Sequence, residues 1–497
     1  MRNDRFVGAI DQGTTGTRFL LFDRSGSVVC GAYATHEQHY PRPGWVEHDP
    51  MEIWSTTKQV IREALASGGI DAESLAAIGI TNQRETALIW DADTGEPLHN
   101  AIVWQDRRTT ERIESLEDID WIRERTGLEP DAYFSATKLE WLLDEIPDGR
   151  ARAQAGELRA GTIDTWLIEG LTGAHVTDVT NASRTMLFDI HALDWDEELL
   201  AEFNVPRAIL PQVRPSSDPT GYGVTDEEGV LECEVPVTAA LGDQQAALFG
   251  QTCFEAGEAK VTHGTGSFLL LSTGSKPVSS DHGLLTTVAF QVGGEAPTYA
   301  LEGSIFSTGA AIEWLCDVGL LESAEASEAL AGGVETTDGV YVVPAFTGLG
   351  APHWDGRARG TIVGLTRGTS REHLIRATLE SVAFQTRDVL TAMEADANLT
   401  PEVLRVDGGA AANDLLCQRQ ADLVSVSVER PVVGETTALG AAYAAGLAVD
   451  YWDGLEALRR NRAVDQAFEV QLDAATAADR HERWLEAVDR SRDWAQS

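Results

Sequence analysis

"FVGAIDQGTTGTRFLLFD", residues 6–23, sets an apolar run ending in Asp11 against a second apolar run ending in Asp23, with "QGTTGT" between them. This is the pattern of two strands joined by a tight turn, and a third strand is expected after Ser25-Gly26. Taken alone, the stretch is equally a β-hairpin whose glycines supply positive φ and whose threonines decorate the turn. Two residues point further. Asp11 ends a buried strand, where a carboxylate is costly without a partner, and Arg18 follows closely enough to bring a guanidinium back over the turn. Backbone amides and hydroxyls between an acid and a base suit a magnesium-bound phosphate.

Roughly 250 residues later the pattern returns. "KVTHGTGSFLLLS", residues 260–272, again places a Gly/Thr turn between a strand and an apolar run. A repeat at one domain length implies a duplication into two related lobes, with the two turns facing each other across a cleft. Between the turns, residues 74–98 read as strand, polar loop and strand. Apolar residues three and four apart predict helices in "MEIWSTTKQVIREALAS", "ATKLEWLLDEI" and "REHLIRATLESVAFQTRDVLTAME", and "ETTALGAAYAAGLA" reads as a helix of small residues able to pack closely. Strands alternating with helices give an α/β architecture. The boundary is expected in the connector at 249–258, giving lobes of residues 1–252 and 253–497.

Charge is the compositional outlier: 38 basic against 79 acidic residues leave a net charge of −41. No basic patch remains for nucleic acid or anionic lipid. Acid excess with only four lysines resembles the proteins of salt-accumulating cells, whose self-repulsion is screened at molar salt. The five cysteines are widely spaced with no Cys-x-x-Cys pair, which argues against a disulfide framework and a structural zinc site. "HEQH" at 36–39 sits beside "YPRPGW" and reads as loop. The start carries no long apolar core, and "ALGAAYAAGLAV" at 438–449 is too short to span a membrane. A cytoplasmic protein without membrane insertion is expected.

Several nucleotide chemistries are excluded. None of the four lysines follows a glycine, so there is no Walker loop. No Gly-x-Gly-x-x-Gly opens a helix and no His-Arg-Asp loop is present, so Rossmann oxidoreductases and protein kinases lose support. A third glycine motif, "LRVDGGAAANDLLCQRQADLV" at 404–424, reads as strand, Asp-Gly-Gly turn and helix; its glycines let backbone approach a flat ligand, and Asn413 offers donors and acceptors.

Three such turns in this order, with "YFSATKLEWLLDE" at 133–145 and "GTIVGLTRGTSREHLIRATLE" at 360–380, resemble the FGGY carbohydrate kinases, essentially end to end. The resemblance implies two ribonuclease-H-like lobes of the actin and hexokinase type with an interlobe active-site cleft. "TNQRET" (81–86), "WQDRR" (104–108), "LGDQQAALFGQ" (241–251) and "THGTGSF" (262–268) resemble the branch of that family that phosphorylates glycerol. ATP, Mg2+ and glycerol are then the expected ligands, with sn-glycerol 3-phosphate as product and a homodimer or homotetramer as the assembly.

Carried over residue by residue, Arg84, Glu85, Trp104, Tyr133, Asp243, Gln244 and Phe268 line the polyol pocket. Such types suit a three-carbon triol: acids and amides bond hydroxyls while aromatic faces cover carbon. Thr14, Thr15, Gly16 and Arg18 meet the phosphates from the first lobe and Thr265 from the second, while Gly309, Glu313, Gly409 and Asn413 hold the adenosine. Glu313 stands where many members carry glutamine, and a carboxylate accepts but cannot donate. A primary alcohol is a poor nucleophile and needs a base in reach, for which Asp243 is the candidate; Arg18 neutralises the moving phosphoryl group, and Asp11 and Asp243 hold the metal.

Overall fold

A computed structural model describes residues 5–495. The opening stretch forms β1 (Phe6–Gln12) and β2 (Gly16–Phe22), an antiparallel hairpin in which Asp11 stands opposite Arg18. β3 (Val28–Thr35) continues antiparallel to β2 and forms the sheet edge. On the other side of β1, β4 (Leu75–Asn82) runs parallel. The two-residue β5 (Gly223–Val224) lies antiparallel to β6 (Pro236–Gly242), which is itself parallel to β4, so the sheet order is β5-β6-β4-β1-β2-β3. β4 is buried along its whole length, as the small and apolar run from Leu75 to Ile80 requires of a parallel strand covered on both faces, with polar Thr81 and Asn82 buried at its end.

The second sheet repeats this plan. β7 (Ala259–His263) and β8 (Ser267–Gly274) form the antiparallel hairpin around the second Gly/Thr turn. β9 (Leu285–Phe290) pairs with β10 (Thr298–Ile305), which lies antiparallel to β8 in the place β3 takes beside β2. β11 (Val403–Asp407) runs parallel to β7, β12 (Ser427–Pro431) parallel to β11, and β13 (Val464–Phe468) closes the edge. Hairpin, third antiparallel strand and two parallel strands therefore occur twice in the same spatial order.

Helices cover both sheets. α1 (Pro50–Gly68) starts with Pro after the N-cap Asp49, whose side chain accepts from the Met51 N–H, and stops at left-handed Gly69. α2 (Ser135–Glu145) carries the first family-like motif, and α3 (Asp243–Gly250) follows β6 without a loop. In the second half come α4 (Gly309–Asp317), α5 (Arg371–Ala397), α6 (Asp414–Val424) and α7 (Thr436–Ala448). α7 belongs by sequence to the second half, yet it packs on α3, β4 and β1 of the first, and its alanines share one core with Val7, Ala9 and Leu241. Among the described residues no helix is long and apolar enough to cross a membrane.

Candidate active site

The first turn is held from behind by amides and a buried imidazole. The Gly13 N–H donates to the Gly16 carbonyl at 2.9 Å, and the Trp104 indole N–H donates to Thr14 Oγ1 at 3.0 Å. The Gln38 amide donates to the Thr14 carbonyl at 2.8 Å, and its Oε1 lies 2.7 Å from His48 Nε2. Gln83 joins His48 Nδ1 to Gln12 at 3.2 and 3.0 Å. Burial, followed by the neighbouring His36 and His39, pushes His48 down to about 3, so the ring is neutral and adds no charge behind the turn. His36 of "HEQH" stacks edge-on against His48 at 4.6 Å instead of joining His39 as a ligand pair.

The second turn is built alike. Peptide N–H groups of Thr308 and Ala310 donate to the Thr265 carbonyl and that of Gly309 to the Gly264 carbonyl, at 2.9 to 3.1 Å, so the start of α4 grips the turn. Behind it, His263 Nδ1 lies 2.7 Å from Ser267 Oγ, which lies 2.6 Å from Thr308 Oγ1, and His263 Nε2 lies 3.0 Å from Gln420. Thr15 and Thr265, with their turn backbones held this way, are exposed.

At the third motif Gly408 has φ +85°, and a Cβ there would stand 2.4 Å from the His263 carbonyl oxygen. Only glycine lets β11 turn this close to the end of β7. Gly409, exposed, has open space where a side chain would project. Asn413 is already engaged: its carbonyl oxygen accepts from the Leu416 N–H at 2.9 Å as the cap of α6, and its amide donates to Ser327 at 3.2 Å. Glu313 is exposed on α4.

Between these turns lies a charged floor. Asp243, 31% exposed, faces Arg84 Nε at 3.1 Å and accepts from the Gln244 N–H at 2.7 Å. Burial raises its carboxyl pKa, opposed by Arg84 and Lys260. Arg84 lies 5.7 Å from the Phe268 ring centroid, and Tyr133 meets Trp104 edge-on at 5.7 Å. Arg84 and Glu85 are almost wholly buried, and Glu85 holds φ +60°, a left-handed conformation rare for a side chain of that kind. The structure thus gathers Arg84, Glu85, Trp104, Tyr133, Asp243, Gln244 and Phe268 from both lobes around one floor.

Four residues that the sequence did not single out stand there too. Glu302 on β10 accepts from both Arg84 and Arg184, Arg184 also donates to Glu85 at 2.7 Å, and Lys260 donates to Gln244 Oε1 at 2.6 Å. Glu435, immediately before α7, accepts from Arg18, whose guanidinium lies 5.3 Å from the Tyr33 ring. Glu302 alone left a readable signal, a lone acid within the otherwise uncharged strand "TYALEGSI".

Asp11 sits within the field of Asp243 and Glu435. Its carboxyl is pushed up to about 7, first by burial and then by those two acids, with Arg18 opposing. Among the described residues no three His, Cys, Asp or Glu side chains converge into a protein-only cage. Mg2+ needs none, since it is usually held by one or two carboxylates together with substrate phosphates and water. Two mutually repelling carboxylates beside the first Gly/Thr turn are a donor set that fits that ion.

Residues 6–250 match the N-terminal domain, and residues 259–449 the C-terminal domain, of the FGGY family of carbohydrate kinases. The chain is 65% identical to a glycerol kinase of Haloferax volcanii, over 100% of this chain and 99% of that protein. It is 64% identical to a glycerol kinase of Halobacterium salinarum, over 99% of both. A solved glycerol kinase of Plasmodium falciparum with ADP superposes with a TM-score of 0.93 at 37% identity, covering 99% of each chain. A xylulose kinase of Lactobacillus acidophilus superposes at 0.86 with 21% identity over 98% and 97%, a likeness of fold alone.

Proposed function

The chain belongs to the FGGY family of carbohydrate kinases, and from that membership and the floor around Asp243 we infer the reaction and the residues that carry it. The protein phosphorylates glycerol with ATP and Mg2+, giving sn-glycerol 3-phosphate. Support for the assignment of roles comes above all from Asp243: a partly open carboxylate at the start of α3, 3.1 Å from a buried arginine that itself lies 5.7 Å from the Phe268 ring.

Asp243 takes the proton from the attacking primary hydroxyl, which raises the nucleophilicity of that oxygen at the moment of transfer. Arg84, Glu85 and Gln244 bond the hydroxyls, and Trp104, Tyr133 and Phe268 cover the carbon chain and exclude water. The turn bearing Thr14, Thr15 and Gly16 holds phosphate oxygens from one side and Thr265 from the other, while Arg18 leaves Glu435 to meet the charge spread over the transferring group. Gly309, Glu313, Gly409 and Asn413 bound the adenosine; Asn413, being occupied as a helix cap, meets it through its remaining hydrogen-bond capacity. Asp11 and Asp243 would hold Mg2+, which supplies charge neutralisation on the phosphates.

The lobes divide at 252/253, and the assembly is a homodimer or homotetramer in the cytoplasm. The test is ADP release with ATP and Mg2+ at low and at molar KCl, without polyol and with glycerol, xylulose, gluconate or erythritol. Stimulation by glycerol alone is expected. Stimulation by another of these alone would overturn the pocket roles, and none with any would overturn the reaction.

A further inference from the structure

Glu302 sits in the middle of β10 with Leu270 opposite it on β8 and Leu285 opposite it on β9, and it is wholly buried. A carboxylate between two leucines at the heart of a sheet is costly unless fully paired. Its partners come from the other lobe. Arg84 donates to it through both terminal nitrogens, at 2.6 and 3.0 Å, and Arg184 through one, at 3.1 Å. Burial alone would raise this carboxyl, yet Arg184 and Arg84 hold it at about 2, a permanent anion.

The geometry holds Arg84 on every nitrogen. Nη1 and Nη2 point to Glu302, Nη1 also reaches Gln245 at 3.2 Å, and Nε faces Asp243, which leaves one Nη2 proton of the five for a polyol hydroxyl. Arg184 closes the circuit by donating to Glu85 through Nε, and its Nη1 has no hydrogen-bond partner among the described residues. A bidentate guanidinium–carboxylate pair fixes a plane as well as a distance. We propose that Glu302 is a positioning residue for polyol recognition: from the second lobe it sets the orientation of Arg84 and Arg184, so that the floor presented by the first lobe is complete only with the two lobes docked.

The proposal rests on the polyol-pocket roles given above, and its test separates the two. At molar KCl, KM for glycerol, KM for ATP and kcat are measured for the intact enzyme, for Arg84→Lys and for Glu302→Gln. Glutamine keeps the shape and one acceptor but loses the charge and the bidentate grip. Glu302→Gln should raise KM for glycerol at least ~10-fold with KM for ATP within about twofold, an ordinary cost for losing one charged, buried hydrogen-bond partner. Glu302→Asp, with the carboxylate drawn back by one methylene, should fall between, and serves alone if the glutamine variant does not fold. A cluster that merely tied the lobes together would lower the folded fraction and leave KM for glycerol unchanged, and that result would overturn the proposal. If Arg84→Lys also leaves KM for glycerol unchanged, the pocket roles fail and the proposal with them.

Discussion

Asp243 accepts from its own helix at Gln244 N–H and faces Arg84, and both contacts favour its charged form. Burial works the other way and prevails, leaving a carboxylate more basic than an ordinary aspartate. Asp243→Asn keeps the shape and removes the proton acceptor. Calorimetry should find ATP and glycerol binding little changed while kcat falls at least ~100-fold, the usual cost of losing a general base; a variant at half the normal rate would remove Asp243 from that role. Asp164 poses a different question, because it is buried with no basic partner on its oxygens among the contacts it makes, which are the hydroxyls of Thr162 and Thr177 and the backbone N–H of Thr165. Burial, then Asp178, pushes its carboxyl from 3.8 up to about 7. The fold therefore keeps a proton that the unfolded chain releases across that window, so stability falls as pH rises from about 4 to about 7 and then levels. Asp164→Asn should remove its share of the slope, leaving that of Asp11: denaturant unfolding at constant molar KCl should show the variant gaining roughly 2–4 kcal/mol on the parent between pH 4 and pH 8. A constant difference would mean that Asp164 is ionised in the fold.

The helices α3 and α7 bring their amino-terminal ends to the cleft, one opening on Asp243 and the other following Glu435. They pack backbone to backbone. A Cβ on Gly440 would stand 1.8 Å from the Ala246 carbonyl oxygen, and one on Gly250 would stand 2.0 Å from that of Thr436. Gly440→Ala should therefore cost ~1–3 kcal/mol or more as the helices are forced apart, and it should lower kcat because both helix starts move. Gly434→Ala, where the added methyl meets nothing within 4 Å, is the control; equal melting midpoints for the two variants would show that the crossing tolerates separation. The sequence made α7 legible as a helix of small residues, since "ETTALGAAYAAGLA" leaves no other reading, but not as a helix seated on the opposite lobe. The same limit applies to Glu302 and Arg84, which lie 218 residues apart. Periodicity, turns and motif order are local and were readable, as in Asp11 facing Arg18 across one hairpin. A buried charge shows in a sequence as an oddity whose partner only the tertiary fold supplies.

Across the whole molecule the net charge of −41 sets a contest between two salt effects. Of the four lysines, Lys138 and Lys260 are buried, Lys138 on the carbonyls of Tyr133 and Phe134 and Lys260 on Gln244. The outer surface thus answers its acids mainly with arginine, as in Arg123 with Glu129 and Arg207 with Asp194. Salt weakens such exposed pairs, but each is worth only about 0–1 kcal/mol. It also screens the repulsion among the surplus carboxylates as the Debye length shrinks from about 10 Å at 0.1 M to about 3 Å at 1 M. The buried Arg84–Glu302–Arg184 set is shielded from ions and contributes equally at both ends of the scale. Repulsion has the larger number of terms, so its screening wins. The melting midpoint and the glycerol-stimulated rate should both rise between 0.1 M and 2 M KCl, and sucrose, which favours compact states without screening charge, should not reproduce the rise in full. A midpoint that falls with KCl would mean that the arginine pairs hold the surface together more strongly than the excess acids drive it apart.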